Sequence, residues 1–252
     1  MRLTVVGCSG SYPGPASSAS CYLVEADHEG RTWRLLLDLG NGALGSLQRH
    51  ADPLTVDAVL LSHLHADHCL DMCGYYVMRK YHPTGPQPRI PVYGPDGTAA
   101  RLARAYDLPE DPGMTEEFDF EVFPSGSFVL GPFTVTASPV AHPVPAYALR
   151  VEAGGRVLTY SGDTGPCGAL EKAARGAHVF LCEASFREVD DNPPDLHLTG
   201  AEAGAAATRA GAGSLLLTHV PPWHDDAEIL AEARPAFDGP LELVRCGHTY
   251  DV

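Results

Sequence analysis

A short apolar run, Ala58-Val-Leu-Leu-Ser62, passes directly into His63-Leu-His65-Ala-Asp67-His68. The run reads as a buried strand. Four ionisable side chains crowded behind it cannot join the same core, so the strand must deliver them to a loop at its end. With 12 His and 18 Asp in 252 residues, chance placement would give HxHxDH about 0.002 times per chain. The spacing suits a tight loop in which His63 and His65 point one way and Asp67 and His68 the other. Imidazole nitrogens suit zinc, and a carboxylate oxygen completes a harder site. The plain alternative is a solvated polar turn.

The rest of the chain supplies a scaffold for such a loop. Period-two and continuous apolar runs predict strands over residues 3–7, 21–25, 34–38, 58–62, 90–93, 118–123, 133–138, 147–151, 157–161, 179–183, 214–218 and 241–244. Helical spacing predicts helices over 41–50, 69–81, 96–106, 167–175, 200–210 and 227–237. Two strand-rich halves, each followed by helices, predict an α/β chain of packed sheets with helices outside. No linker or repeat interrupts it, so residues 1–252 are expected to form one domain with an ample core, 44% of residues being hydrophobic. His63, Asp163 and His219 each fall just past a predicted strand. Loops at one edge of a rigid sheet can converge on a single site.

Charge and cysteine content narrow the function. The formal charge of −15 disfavours a grip on a long nucleic acid, which normally needs a basic surface. A small anionic substrate is the easier partner. No run of eighteen apolar residues spans a membrane, and the start lacks a signal-peptide pattern; a cytoplasmic protein is expected. The seven cysteines form no CxxC pair, which favours reduced, mostly buried thiols. Cys69 and Cys73, four apart, read as one turn of small core residues rather than metal ligands.

With these residues in view the chain resembles the metallo-β-lactamase-fold hydrolases, a four-layer αββα sandwich, over its whole length. Asp38 in Leu-Leu-Leu-Asp-Leu-Gly resembles the first family motif and HLHADH the second. His142 in Ala-His-Pro, Asp163 in Ser-Gly-Asp-Thr-Gly and His219 in Leu-Thr-His-Val-Pro resemble the third, fourth and fifth. The resemblance implies two divalent metal ions, zinc first, with Mn or Fe accepted by the same ligands. His63, His65 and His142 would hold one, and Asp67, His68 and His219 the other, with Asp163 bridging. Two such ions about 3.5–4 Å apart activate water and stabilise charge in a displacement at phosphorus. Asp67 would both ligate and orient the attacking group. Asp38 is expected to align a ligand or shape the loop without touching metal.

The leaving oxygen needs a proton. Glu183 in Phe-Leu-Cys-Glu-Ala-Ser and His197 in Asp-Leu-His-Leu-Thr-Gly resemble the Glu/His pair of the phosphodiesterase branch related to ribonuclease Z. There the histidine donates to the leaving oxygen and the glutamate keeps it protonated. The alternative makes Glu183 a strand-end charge and His197 part of a helix cap.

For substrate, ribonuclease Z itself is one reading. Its bacterial form inserts a tRNA-clamping arm between the third and fourth motifs, where this chain has only twenty residues. Residues 5–15, 48–53, 193–200 and 215–223 are more similar to the bacterial atypical class II cyclic-nucleotide phosphodiesterases. That similarity implies hydrolysis of 3′,5′-cyclic AMP to 5′-AMP. It also suggests a homodimer, which no interface signature marks. Thioester or lactam hydrolysis on the same fold would not need Glu183 and His197, and a nucleotide-binding protein without catalysis would not need every ligand. Trp223 could stack on a nucleobase or anchor the next helix. Tyr75 and Tyr76 read as core or rim, Gly7–Gly10 as a tight strand connection, and His248 as an exposed or locally bonded histidine.

Overall fold

Strands covered by helices on one side and by another sheet on the other must be apolar on both faces, and the sequence supplies them. In the computed structural model, which describes residues 1–252, the first half runs β1 (Arg2–Ser9), β2 (Ser18–Ala19), β3 (Cys21–His28), β4 (Arg31–Leu37), α1 (Ala43–Leu47), β5 (Ala58–Leu60), α2 (Ala66–Cys69), α3 (Met72–Lys80), β6 (Ile90–Gly94), α4 (Thr98–Ala105) and β7 (Phe118–Val122). The second runs β8 (Ser127–Leu130), β9 (Phe133–Pro139), β10 (Tyr147–Ala153), β11 (Arg156–Tyr160), α5 (Gly168–Ala174), β12 (Val179–Glu183), α6 (Gly200–Ala210), β13 (Leu215–Thr218), α7 (Asp226–Ala233), β14 (Leu241–Leu243) and β15 (Thr249–Asp251).

The first sheet has eight strands, ordered β15-β1-β3-β4-β5-β6-β7 with β2 beside β1. The second has seven, ordered β14-β13-β12-β11-β10-β9-β8. Each sheet mixes an antiparallel meander (β1-β3-β4; β8-β9-β10-β11) with a parallel run (β4-β5-β6-β7; β11-β12-β13-β14). Three apolar clusters separate the layers. Leu35, Leu37, Leu60, Leu149, Leu158 and Leu181 meet between the sheets. Leu36, Val59, Met72 and Tyr75 pack the first sheet under α1–α4, and Phe180, Leu215, Ala207 and Ile229 pack the second under α5–α7. This is the expected four-layer αββα sandwich. None of its helices is long and apolar enough to cross a membrane.

Local differences from the sequence reading have physical causes. The helix expected over 69–81 begins at Met72 as α3, and the short α2 precedes it over Ala66–Cys69 where a tight loop was expected, with the backbone of Leu39 wedged between them. Leu39 N donates to His68 O (2.8 Å) and Asp71 N donates to Leu39 O (3.1 Å). The helix expected over 41–50 is only the five residues of α1. β2, β8 and β15 were not anticipated; they are two to four residues long, and pairing partners define them rather than periodicity.

Two glycines permit a close approach that the site depends on. A Cβ on Gly40 would strike the backbone carbonyl of Asp67, and one on Gly10 that of His219. Loops carrying two candidate ligands therefore lean directly on main chain.

Candidate metal centre

The parallel strands aim their carboxyl ends at one edge of the sandwich. His63 and His65 leave the end of β5, and Asp67 and His68 sit on α2. His142 follows β9, Asp163 follows β11, and His219 follows β13. All seven residues meet there. One atom each of His63, His65, His142 and Asp163 lie within 4.8 Å of one another, as do those of Asp67, His68, Asp163 and His219. Asp163 belongs to both sets, the position expected of a bridging group.

Counting protons tests whether a cation fits. His142 Nδ1 donates to the Leu196 carbonyl (2.9 Å) and His68 Nδ1 to Asp38 Oδ2 (2.7 Å). The Ser62 hydroxyl is spent on Asp38 Oδ2 (2.7 Å), so it accepts from His63 Nδ1 (3.1 Å). The Ser185 hydroxyl is spent on the His219 carbonyl (2.7 Å), so it accepts from His219 Nδ1 (2.8 Å). In each neutral ring the other nitrogen, Nε2, is then a bare lone pair.

The inward nitrogens crowd together. His63 Nε2 and His142 Nε2 lie 3.1 and 3.2 Å from His65 Nδ1. His68 Nε2 and His219 Nε2 lie 3.1 Å apart, with Asp67 Oδ2 3.1 Å from the latter. Asp163 Oδ1 is buried without a hydrogen-bond donor. An array this dense in nitrogen and carboxylate donors draws positive charge, and it is the set that zinc and similar ions take.

The protonation tendencies agree. Burial holds His63 well below its ordinary pKa, with the neighbouring His68 adding to the effect. Burial likewise lowers His65 and His142. These three are neutral donors, as a divalent cation requires. Burial also opposes a charge on His68, yet the carboxylates of Asp163 and Asp38 outweigh it and raise His68 well above its usual value. That position gathers positive charge, which a proton or a divalent ion can satisfy.

Asp38 proves to be an organiser outside both clusters. Fully buried and in the left-handed region at φ 61°, it accepts from Ser62 N (2.6 Å), Ser62 Oγ, His68 Nδ1 and the Tyr160 hydroxyl (2.8 Å). Tyr160 comes from the second sheet and Ser62 from the first, so this carboxylate ties the halves together beneath the ligands. Asp38→Ala would strand four buried donors. It is expected to lower unfolding free energy by about 3 kcal/mol or more, read from urea unfolding curves of the metal-free protein.

Glu183 and His197 form the expected pair. Glu183 is fully buried, accepts from Thr164 N (2.7 Å), and takes a 2.9 Å hydrogen bond from His197 Nδ1. Burial alone would lower the His197 pKa, but the charge and hydrogen bond of Glu183 outweigh it and lift it to about 9. The imidazole stands between the clusters, its centroid 5.7 Å from that of His142 and 5.6 Å from that of His219. Glu183 ends β12 and His197 lies two residues before Thr199, which caps α6 together with Glu202.

Trp223 is 60% exposed and packs on Tyr12 at 5.4 Å, so it does not anchor α7. Cys69 is buried in the core under the first sheet, and none of the cysteines joins either cluster or a disulfide. His248 is exposed, 3.8 Å from Glu242. The sequence reading missed Ser62, Tyr160, Ser185 and the Leu196 carbonyl, which orient the ligands; Ser62 could have been suspected from its adjacency to His63.

A family described as Beta-lactamase superfamily domain matches residues 33–220. The uncharacterized protein ML1173 of Mycobacterium leprae is 50% identical over 256 residues, spanning all of this chain and 89% of that one. The crystal structure of the metallo-beta-lactamase fold protein YhfI from Bacillus subtilis superposes with a TM-score of 0.87 at 27% identity, covering 99% and 98% of the two chains. Ribonuclease Z of Myxococcus xanthus is 29% identical over 309 residues, covering 100% and 98%.

Proposed function

The chain belongs to the β-lactamase superfamily, and we propose that within it this metallo-hydrolase is a two-metal phosphodiesterase of 3′,5′-cyclic nucleotides, turning cyclic AMP into 5′-AMP. The observation that carries the reading is the Glu183–His197 pair, hydrogen-bonded at 2.9 Å beside both ligand clusters. A thioester, whose thiolate departs without a proton, makes no comparable demand for a positioned acid. The likeness to ribonuclease Z, whose name marks a phosphodiester substrate, points the same way. The choice of a cyclic nucleotide rests on the similarity of residues 5–15, 48–53, 193–200 and 215–223 to the cyclic-nucleotide phosphodiesterases, and the charge of −15 favours a small diester over a long one.

His63, His65, His142 and Asp163 would hold one ion, and Asp67, His68, Asp163 and His219 the other. Such ions supply Lewis acidity at the phosphoryl oxygens and a water of lowered pKa. The protein's own part is to order and to protonate. Asp38, Ser62, Ser185 and the Leu196 carbonyl fix which imidazole nitrogen faces inward. Glu183 keeps a proton on His197 through neutral pH and holds Nδ1, leaving Nε2–H to donate to the departing 3′ oxygen as the P–O bond breaks. Trp223 and Tyr12, exposed and in contact, would offer an aromatic wall to the base.

A tRNA 3′-processing endonuclease is the second reading, favoured by the ribonuclease Z relatives. Between His142 and Asp163 this chain has only a two-strand hairpin, β10–β11, with no room for a clamp of the bacterial type. Metal-loaded protein is expected to convert 3′,5′-cyclic AMP to 5′-AMP, seen by chromatography and stopped by chelator. Silence on that substrate with cleavage of pre-tRNA or 2′,3′-cyclic AMP run alongside would replace the proposal.

A further inference from the structure

The opposite ends of the same strands carry a second concentration of chemistry. A cleft of about 900 Å³ opens where β4, β5 and β6 begin, and the β8–β9 turn of the second sheet closes one side. Asp38 and His63 leave the other ends of β4 and β5, so the cleft and the metal clusters lie at opposite edges of the sheet. Arg31, Arg34, Arg79 and Arg89 line it, four of the seventeen basic residues in a chain of net charge −15. Its one lining carboxylate is Asp57.

Three of these arginines have partners of their own. Arg31 pairs with Asp57 (2.7 Å), Arg34 with Glu25 (3.0 Å) and Arg89 with Asp119 (2.9 Å). Arg79 has none. It is 2% exposed, forms no ion pair, donates to the Tyr75 hydroxyl (3.2 Å) and the Pro88 carbonyl with its guanidinium 5.3 Å from the Tyr75 ring centroid, and leaves Nε without an acceptor. A guanidinium cannot escape its charge by losing a proton. Burying one without a counter-charge is costly, and an anion drawn into the cleft would supply it.

We infer that this cleft is a binding site for a small organic phosphate, separate from the metal clusters and independent of their substrate. Several guanidiniums around one space suit a phosphate dianion, which can take paired N–H donors. The volume lies in the range of small-ligand pockets, and Leu54, Ile90 and Val129 give an apolar wall for the ligand's body. Trp33 is not a stacking platform. Arg31 covers its ring at 3.8 Å, and Gly131 lies so close that a Cβ there would strike the ring.

The chain has two tryptophans, so Trp223→Phe leaves Trp33 as a reporter inside the cleft. Titrating this metal-loaded variant with phenylphosphonate, and separately with inorganic phosphate, is expected to change Trp33 emission to saturation. Adding Arg89→Ser, at the exposed rim, or Arg79→Met should raise the dissociation constant about ten-fold each. His65→Ala, which alters the metal clusters, should leave it unchanged. If Arg79→Met does not fold, Arg89→Ser decides alone. No saturable response, a response unmoved by Arg89→Ser, or one lost with His65→Ala would overturn the inference and leave Arg79 a staple between α3 and the segment before β6.

Discussion

Asp67→Ala and His65→Ala are each expected to reduce turnover of cyclic AMP by about a thousand-fold or more, and metal analysis of either variant should show bound metal lost. The reason lies in the shared geometry. His65 Nδ1 is the centre of the three-imidazole set, within 3.2 Å of His63 Nε2 and His142 Nε2. Asp67 supplies the carboxylate nearest His219 Nε2, at 3.1 Å. The fold should not suffer equally. In the metal-free protein the Asp67 carboxylate lies 3.1 Å from His219 Nε2 and 3.4 Å from His68 Nε2, and both rings favour its charge, so Asp67→Ala is expected to lower the melting temperature of the stripped protein by a few degrees at most while removing activity. Wild-type protein carrying less than one metal per chain, and gaining nothing from added Zn²⁺ or Mn²⁺, would sink the two-metal reading.

His197→Ala should separate substrates by their leaving groups. Loss of a general acid costs about 10²–10⁴-fold where the departing oxygen is a strong base, as the ribose 3′ oxygen is. An activated aryl diester such as bis(4-nitrophenyl) phosphate needs little protonation and should lose less than about ten-fold. Equal losses on both would show that His197 shapes the site without donating a proton. Glu183→Gln is expected to follow the same pattern more weakly, since it takes away the buried charge that lifts His197 to about 9.

The ligands themselves were open to reading because they sit where a strand pattern stops. HLHADH announces itself by density, and His142, Asp163 and His219 by their order after strands together with the family resemblance. The two sheets followed from the apolar runs, which burial on both faces makes nearly continuous. What holds the ligands in place was not open in the same way. Tyr160 reads as one more strand aromatic, and only the packing of one sheet on the other brings its hydroxyl to Asp38. Ser185 and the Leu196 carbonyl gain meaning only when distant loops close around His219 and His142. The short α2 and its separation from α3 escaped for the same reason, since Leu39, thirty residues earlier, supplies the backbone that lies between them.

Each ligand cluster draws side chains from both sheets. The first joins His63 and His65 to His142 and Asp163, and the second joins Asp67 and His68 to Asp163 and His219. An ion held there would therefore rivet two layers that otherwise meet through apolar contact and a few hydrogen bonds such as that of Tyr160 to Asp38. Free metal at a hundred times its dissociation constant would add about 2.7 kcal/mol of stability, a large part of what a fold commonly has in reserve. Metal starvation in a cell would then do more than silence the enzyme: it would loosen the sandwich and expose the chain to proteases. Abundance and activity would fall together, and the supply of metal would set the protein's lifetime as well as its rate.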